Sequence, residues 1–239
     1  MTELLVRKLE QFGSLSPTEK LAVVAARSAV RHVGSGQDLV REGDQPSRCQ
    51  LLLEGFACCY KLLETGQRQI IAFYIPGDVC DLTHVLLGRM DHSIGTLTPA
   101  KVAVIPHAVI LDWTKRYPGL GQTLWRATLA DAAMSREWIV NVGRRTAYQR
   151  TAHLLCELVL RMRSAGLTDG FVCDLPITQV ELADALGLTP VHVNRTLQGL
   201  RSEGLIEIGN GILNVRSWSE LKQAGGFDPA YLHQTTADD

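Results

Sequence analysis

Residues 177–206, ITQVELADALGLTPVHVNRTLQGLRSEGLI, constrain the chain more than any other stretch. Thr178 is followed three residues later by Glu181, the pairing in which a hydroxyl and a carboxylate satisfy the first free amides of a helix reciprocally. Leu182, Ala183 and Leu186 then share one helix face. Gly187 can take the positive φ that ends a helix and turns the chain. Thr189 caps a second helix, and Pro190 stands at its first position, where a missing N–H costs nothing. Val193, Leu197 and Leu200 give that helix an inward stripe at i, i+4 and i+7. His192, Asn194, Arg195, Gln198 and Arg201 face outward. Two helices so joined form a helix-turn-helix, whose second helix enters the DNA major groove.

Residues 204–215, GLIEIGNGILNV, carry a hairpin pattern with Gly209-Asn210-Gly211 at its tip. A helix-turn-helix followed by a short hairpin is a winged helix. The residue types on the outward face suit bases: Arg pairs with guanine and Asn with adenine. The candidate DNA contacts are Thr178, Gln179, Thr189, Pro190, Val191, His192, Asn194, Arg195, Gln198 and Arg201.

The formal net charge is -1, so any affinity for DNA must come from local basic sites and not from a global field. No apolar run reaches the roughly 18 residues a membrane-spanning helix needs. The N-terminus reads as an amphipathic helix, not a leader, so the expected location is the cytoplasm. None of the six cysteines (Cys49, Cys58, Cys59, Cys80, Cys156, Cys173) forms a C-x-x-C pair, and buried reduced thiols are expected.

Three regions precede the winged helix. Residues up to about Arg31 read as helical, with Ser16-Pro17-Thr18-Glu19 opening a short helix. From His32 to about Pro106, short apolar runs (Cys49–Leu53, Phe56–Leu62, Gln69–Ile75, Lys101–Ile105) alternate with glycine turns, which predicts a β-sandwich or roll. A long helix follows from Pro118 to about Val142. Leu120, Leu124, Ala127, Met134 and Trp138 form one stripe on it, interrupted by Asp131; Trp125, Leu129, Ala132, Ile139 and Val140 lie on other faces. A helix apolar on two sides must bury both, one on the roll and one against a second copy. The first stripe is the expected dimer seam, which Asp131 either weakens or fixes in register. Gly143 marks a hinge, and Arg144, Arg145 and Arg150 cluster beside it, to contact phosphate or to cap and salt-bridge the helix ends. The last residues of the tail are expected to be disordered.

The order of roll, long helix, hinge and winged helix, with Gly43-Asp44, Pro76-Gly77-Asp78, Gly143–Arg150 and Asp184–Arg195, resembles the Crp–Fnr family of bacterial transcription regulators over nearly the whole chain. The resemblance implies an α+β protein. Residues 1–117 would form a double-stranded β-helix or β-roll like the cyclic-nucleotide-binding domains. Residues 118–143 would form the dimerisation helix and hinge, and 144–239 the DNA-binding winged helix. It implies a homodimer on a two-fold symmetric operator, with RNA polymerase as a further partner and an effector region around Asp78, Cys80, Asp81, His84, His92 and Ser93. The family's cyclic-AMP binders carry a Gly-Glu-Leu segment and then an Arg-Ser/Thr pair. Here the stretch reads Gly77-Asp78-Val79 and Asp91-His92-Ser93, so a cyclic nucleotide is not expected. No cysteine precedes Cys49, so an iron–sulfur cluster is not expected, nor is haem. His32, His84, His92 and His107 show no clustered ligand pattern in the sequence, so no metal is expected. Recognised nucleophile and phosphate-loop motifs are missing, which sets aside enzymes, a cupin-like one included. A sensor module acting on a protein partner is the remaining alternative.

Overall fold

The computed structural model describes residues 2–26 and 28–234. The chain divides into two units: residues 1–61, 72–132 and 233–239, and residues 62–71 and 133–232. The final tail residues expected to be disordered, 235–239, lie outside the described residues.

The first unit opens with α1 (Thr2–Glu10) and α2 (Pro17–Val24). Ser16 caps α2 through the reciprocal Ser16–Glu19 arrangement. Strands β1 (Ala29–Val33), β2 (Asp38–Val40), β3 (Arg48–Glu54), β4 (Ala57–Leu62) and β5 (Arg68–Tyr74) follow. Next come the one-turn helix α3 (His84–Leu87), β6 (Ser93–Thr96), β7 (Ala100–Pro106), α4 (His107–Arg116) and the long α5 (Pro118–Arg144); of these elements, β5 up to Ile71 and α5 from Ala133 belong to the second unit. Two sheets result, ordered β1-β7-β3 and β2-β6-β4-β5. Three of these strands correct the reading of the sequence. β1 begins at Ala29, inside the stretch read as helical. β2 and β6 carry too few apolar residues to stand out.

β3 and β7 show why the roll forms. Side chains alternate across a strand, yet β3 is buried from Cys49 to Leu53. Cys49, Leu51 and Leu53 face a core shared with α1, α2, α4 and the start of α5, together with Ala103 and Ile105 of β7. Leu52, with Ala100 and Val102, faces a second core that includes Leu39, Val40, Ala57 and Ile94. One sheet therefore lies between a helical layer and the other sheet, and both faces of its central strands are apolar.

The beginning of α5 belongs to that first core. Leu120 and Leu124 are buried in it, and the Leu120 amide donates to Glu19 Oε1 at 2.7 Å. Ala127 packs on Phe12 with Ala130. Leu120, Leu124 and Ala127, expected in a seam between two copies, are instead buried within their own chain, the first two under α1 and α2 and the third under Phe12. Met134 is half-buried, Asp131 is exposed, and Trp138 is buried with its indole N–H on Glu157. The large apolar side chains of α5 left exposed are Trp125, Leu129, Ile139 and Val140.

The second unit is built on α6 (Ala147–Ser164), with β8 (Val172–Asp174), α7 (Gln179–Leu186), α8 (Pro190–Ser202), β9 (Ile206–Gly209), β10 (Ile212–Val215) and α9 (Trp218–Gly225). Gly143 does not break α5, which runs through it to Arg144. The break falls at Thr146, whose hydroxyl and backbone N–H engage Gln149 to start α6. Arg145 donates to Glu137 (2.6 Å), and Arg150 donates to the Arg145 and Leu186 carbonyls (2.9 and 2.7 Å). These two guanidinium groups close helix ends and do not stand free for phosphate. Trp138, Tyr231 and Arg161 converge on the buried carboxylate of Glu157. Gly225 allows α9 to approach α6 closely: a Cβ there would lie 2.6 Å from the His153 amide nitrogen.

Candidate nucleic-acid interface and the roll's histidine cluster

Both helices of the 178–202 segment begin as their sequence dictates. Thr178 accepts from the Glu181 amide, while Glu181 accepts from the Thr178 amide at 2.6 Å. Gly187 ends α7 at φ 62, ψ 42 and bonds back to the Ala183 carbonyl. Thr189 accepts from the His192 amide (3.2 Å), with Pro190 in the first turn of α8. Val193, Leu197 and Leu200 are buried. β9 and β10 pair antiparallel across a two-residue turn, Asn210 (φ 52) and Gly211 (φ 75), both left-handed as a tight hairpin requires. β8 adds to the other side of β10.

The predicted contact residues divide by what they touch. Val191, His192, Arg195 and Gln198 are exposed on one face of α8. Among the described residues, the side chains of Arg195 and Gln198 make no hydrogen bond to the rest of the chain. Asn194 is half-buried and donates to Gln179 Oε1 at 3.2 Å, so this pair holds α8 against the start of α7. Arg201 donates to the Ile208 carbonyl and ties α8 to the wing. Thr178 and Thr189 are caps, with their hydroxyls engaged by the helices they start. Pro190 is exposed at the entry to α8. The sequence did not reveal three supports of this geometry. Tyr148 donates to Glu203 at 2.5 Å. Arg68 pairs with Asp184 at 2.8 Å, and Gln69 donates to the Ala185 carbonyl at 3.3 Å. Long-range pairs of this kind leave no periodic signal.

In the first unit, the predicted effector residues separate into two groups. Asp78 is buried, with one oxygen on Lys8 Nζ (2.8 Å) and the other accepting from the Ile75 amide (2.9 Å). Asp81 is buried and accepts from the Gln50 amide at 2.8 Å; burial pushes its carboxyl up to about 6. Cys80 packs with Met90 in the roll core. All three side chains are engaged inside the roll. Ser93 accepts from the Glu42 amide at 3.0 Å.

His84 and His92 do come together, and Asp91 joins them. His84, the first residue of α3, is buried, with Nε2 3.3 Å from Asp91 Oδ1. His92 Nδ1 lies 2.7 Å from the same oxygen. The two rings meet edge to face with centroids 5.0 Å apart. The 89–92 loop is fixed by two backbone bonds to the Gly43-Asp44 turn: Gly43 donates to the Met90 carbonyl, and Met90 to the Asp44 carbonyl. One donor atom from each of His84, Asp91 and His92 lies within 4.8 Å of the other two. The expectation that the histidines do not cluster is therefore wrong for His84 and His92; the loop folds back and brings a carboxylate with it.

All six cysteines are free and buried. Burial pushes Cys173 up to about 11 and Cys156 up to about 12, so neither is a thiolate near neutrality. Among the described residues, no helix is long and apolar enough to cross a membrane.

Residues 30–117 match the model of a cyclic nucleotide-binding domain, and residues 149–224 that of a Crp-like helix-turn-helix domain. The nitrogen fixation regulation protein FixK of Bradyrhizobium diazoefficiens is 32% identical over 190 residues, covering 77% of this chain and 76% of its own. The transcriptional activator protein FnrL of Cereibacter sphaeroides is 26% identical over 220 residues, covering 88% and 86%. The solved structure of FixK2 from Bradyrhizobium japonicum superposes with a TM-score of 0.76 over 83% of this chain and 97% of that one, at 23% identity.

Proposed function

Because the chain belongs to the Crp–Fnr family of transcription regulators, we propose that it works as a homodimer whose two α8 helices read the half-sites of a two-fold symmetric operator, about one DNA turn apart. The observation that carries this reading is the outward face of α8, where the side chains of Arg195 and Gln198 stand exposed with no bond to the rest of the chain. Arg can donate two bonds to guanine, and Gln can pair with adenine. Val191 offers a thymine methyl an apolar contact. Asn194 and Arg201 are engaged inside the domain and position the helix.

The homodimer would form through the second stripe of α5. Trp125, Leu129, Ala132, Arg136 and Ile139 succeed one another at steps of four and three residues and are all exposed. That is the spacing of a two-stranded seam. Arg136 takes the polar position that sets register. The protein would act in the cytoplasm, with RNA polymerase as the partner that converts operator binding into transcription.

The roll is proposed to hold neither a cyclic nucleotide, a haem nor an iron–sulfur cluster. Asp78 is buried and its two oxygens already hold Lys8 and the Ile75 amide, so it is committed to the roll and not offered to a ribose hydroxyl. A carboxylate, Asp91, stands where a cyclic phosphate would need a cation.

Selection of bound sequences from a random DNA pool by the purified chain tests the reading. A recovered palindrome is expected, and Arg195→Ala should weaken binding to it by about 1–3 kcal/mol and relax preference at one base pair per half-site. An Arg195→Ala protein that binds the same palindrome equally well would refute the assignment of α8 as the reading helix.

A further inference from the structure

We infer that His84, Asp91 and His92 form a binding site for one first-row divalent transition-metal ion within the roll. Two imidazoles and a carboxylate are a borderline donor set, suited to zinc, cobalt, nickel or ferrous iron, and poorly suited to magnesium or calcium. Three protein donors leave a fourth position for water or another ligand. Bond lengths of about 2.0–2.2 Å place tetrahedral donors roughly 3.3 Å apart. The three donors here lie within 4.8 Å of one another, so small side-chain rotations close the site.

Several features of the cluster suit a metal better than a purely structural contact. His92 Nε2 is buried without a hydrogen-bond partner, an arrangement that costs free energy unless something binds there, and His84 Nε2 and His92 Nδ1 both face one oxygen of Asp91, at 3.3 and 2.7 Å. Thr83 Oγ1 lies 3.2 Å from His84 Nδ1. It can accept that N–H, fixing the tautomer in which Nε2 presents its lone pair. The Asp91 side chain is 77% exposed, which gives an ion a route in. Occupancy would clamp α3 to the loop before β6. This inference concerns binding by the roll alone and stands apart from the reading of α8.

The test is equilibrium dialysis of the full chain, stripped with a chelator and reduced, against zinc at micromolar concentration, with cobalt as a spectroscopic probe. One equivalent per chain is expected. The cobalt complex should show visible d–d absorption without the sulfur-to-cobalt charge-transfer band that cysteine ligation gives. Asp91→Asn and His92→Gln, the two changes outside the fully buried part of the cluster, should each weaken binding more than tenfold while the melting temperature of the metal-free protein holds. Excess magnesium should not compete. The inference is overturned by no saturable binding, by binding unchanged in both variants, by a thiolate band, or by displacement with magnesium.

Discussion

The two stripes of α5 make opposite demands on a leucine, and one pair of truncations separates them. Leu129 is 54% exposed in the single chain and Leu124 is 5% exposed. Fully burying a leucine side chain contributes about 1.5–3 kcal/mol, so covering the exposed half of Leu129 in a seam is worth about 1 kcal/mol. A two-fold interface contains that residue twice, so Leu129→Ala should weaken dimerisation by about 2 kcal/mol, or roughly 30-fold in the dissociation constant. Fold stability within each chain should hardly change. Leu124→Ala instead leaves a hole in the core that joins α1, α2, β3 and β7 and should cost about 2–5 kcal/mol of folding stability. Sedimentation equilibrium across a dilution series reads the first effect. Urea unfolding reads the second, at a protein concentration high enough to keep both variants dimeric, since melting of a dimer depends on concentration. A dimer constant unmoved by Leu129→Ala would refute the second stripe as the seam. So would a Leu124→Ala protein that folds as well as its parent yet dissociates.

Three further outcomes follow from the second unit. Gly225→Ala should lower stability by about 1–3 kcal/mol, read as a fall in melting temperature, because the new Cβ meets backbone atoms of Ala152 and His153 that no rotamer change can move. Burial first, then the Arg145 charge, holds the His153 imidazole down at about 4, against an ordinary 6.5, with Glu137 opposing. Its stabilising effect is complete above about 6.5 and is lost as pH falls toward 4, because only the unfolded chain then takes up the proton. From about pH 7 to about pH 5 the parent should lose about 2 kcal/mol more than His153→Asn, as read by urea midpoints at each pH. Arg201→Ala frees the Ile208 carbonyl; amide exchange in β9 and β10 should quicken, and DNA affinity should fall with the preferred sequence unchanged.

The winged helix was legible in the sequence because each of its devices is local. Thr178 and Glu181 are three residues apart, Gly187 carries the positive φ itself, and Asn210-Gly211 encode their own turn. The core strands of the roll were legible for a related reason: β3 and β7 lie between two apolar layers, so their residues read as continuous apolar runs. β1 was not, since Val30 is 40% exposed and Ala29–Val33 includes Arg31 and His32. Its strand character comes from pairing with β7, with Val30 opposite Ala103, and that partner lies far along the chain.

The same distinction holds for the dimer stripe of α5 and for the histidine cluster. Both stripes of α5 are apolar and both have helical spacing, so periodicity cannot say which is covered by its own chain. What decides is Phe12, at the far end of the sequence distance: it lies in one small cluster with Ala127 and Ala130, and Arg126 donates to its carbonyl at 3.3 Å. His84, Asp91 and His92 stand at i, i+7 and i+8, a spacing that on a continuous helix would be ambiguous between a ligand set and coincidence. The helix lasts one turn. Gly88, at φ 76, ends it by bonding back to the His84 carbonyl, and the Gly43-Asp44 turn pins Met90 through two backbone bonds. A left-handed glycine and a distant turn thus return the chain to its starting histidine, with a carboxylate between the two rings. The donor set is a product of that reversal, and a search for ligands at helical or C-x-x-C spacing would pass over it.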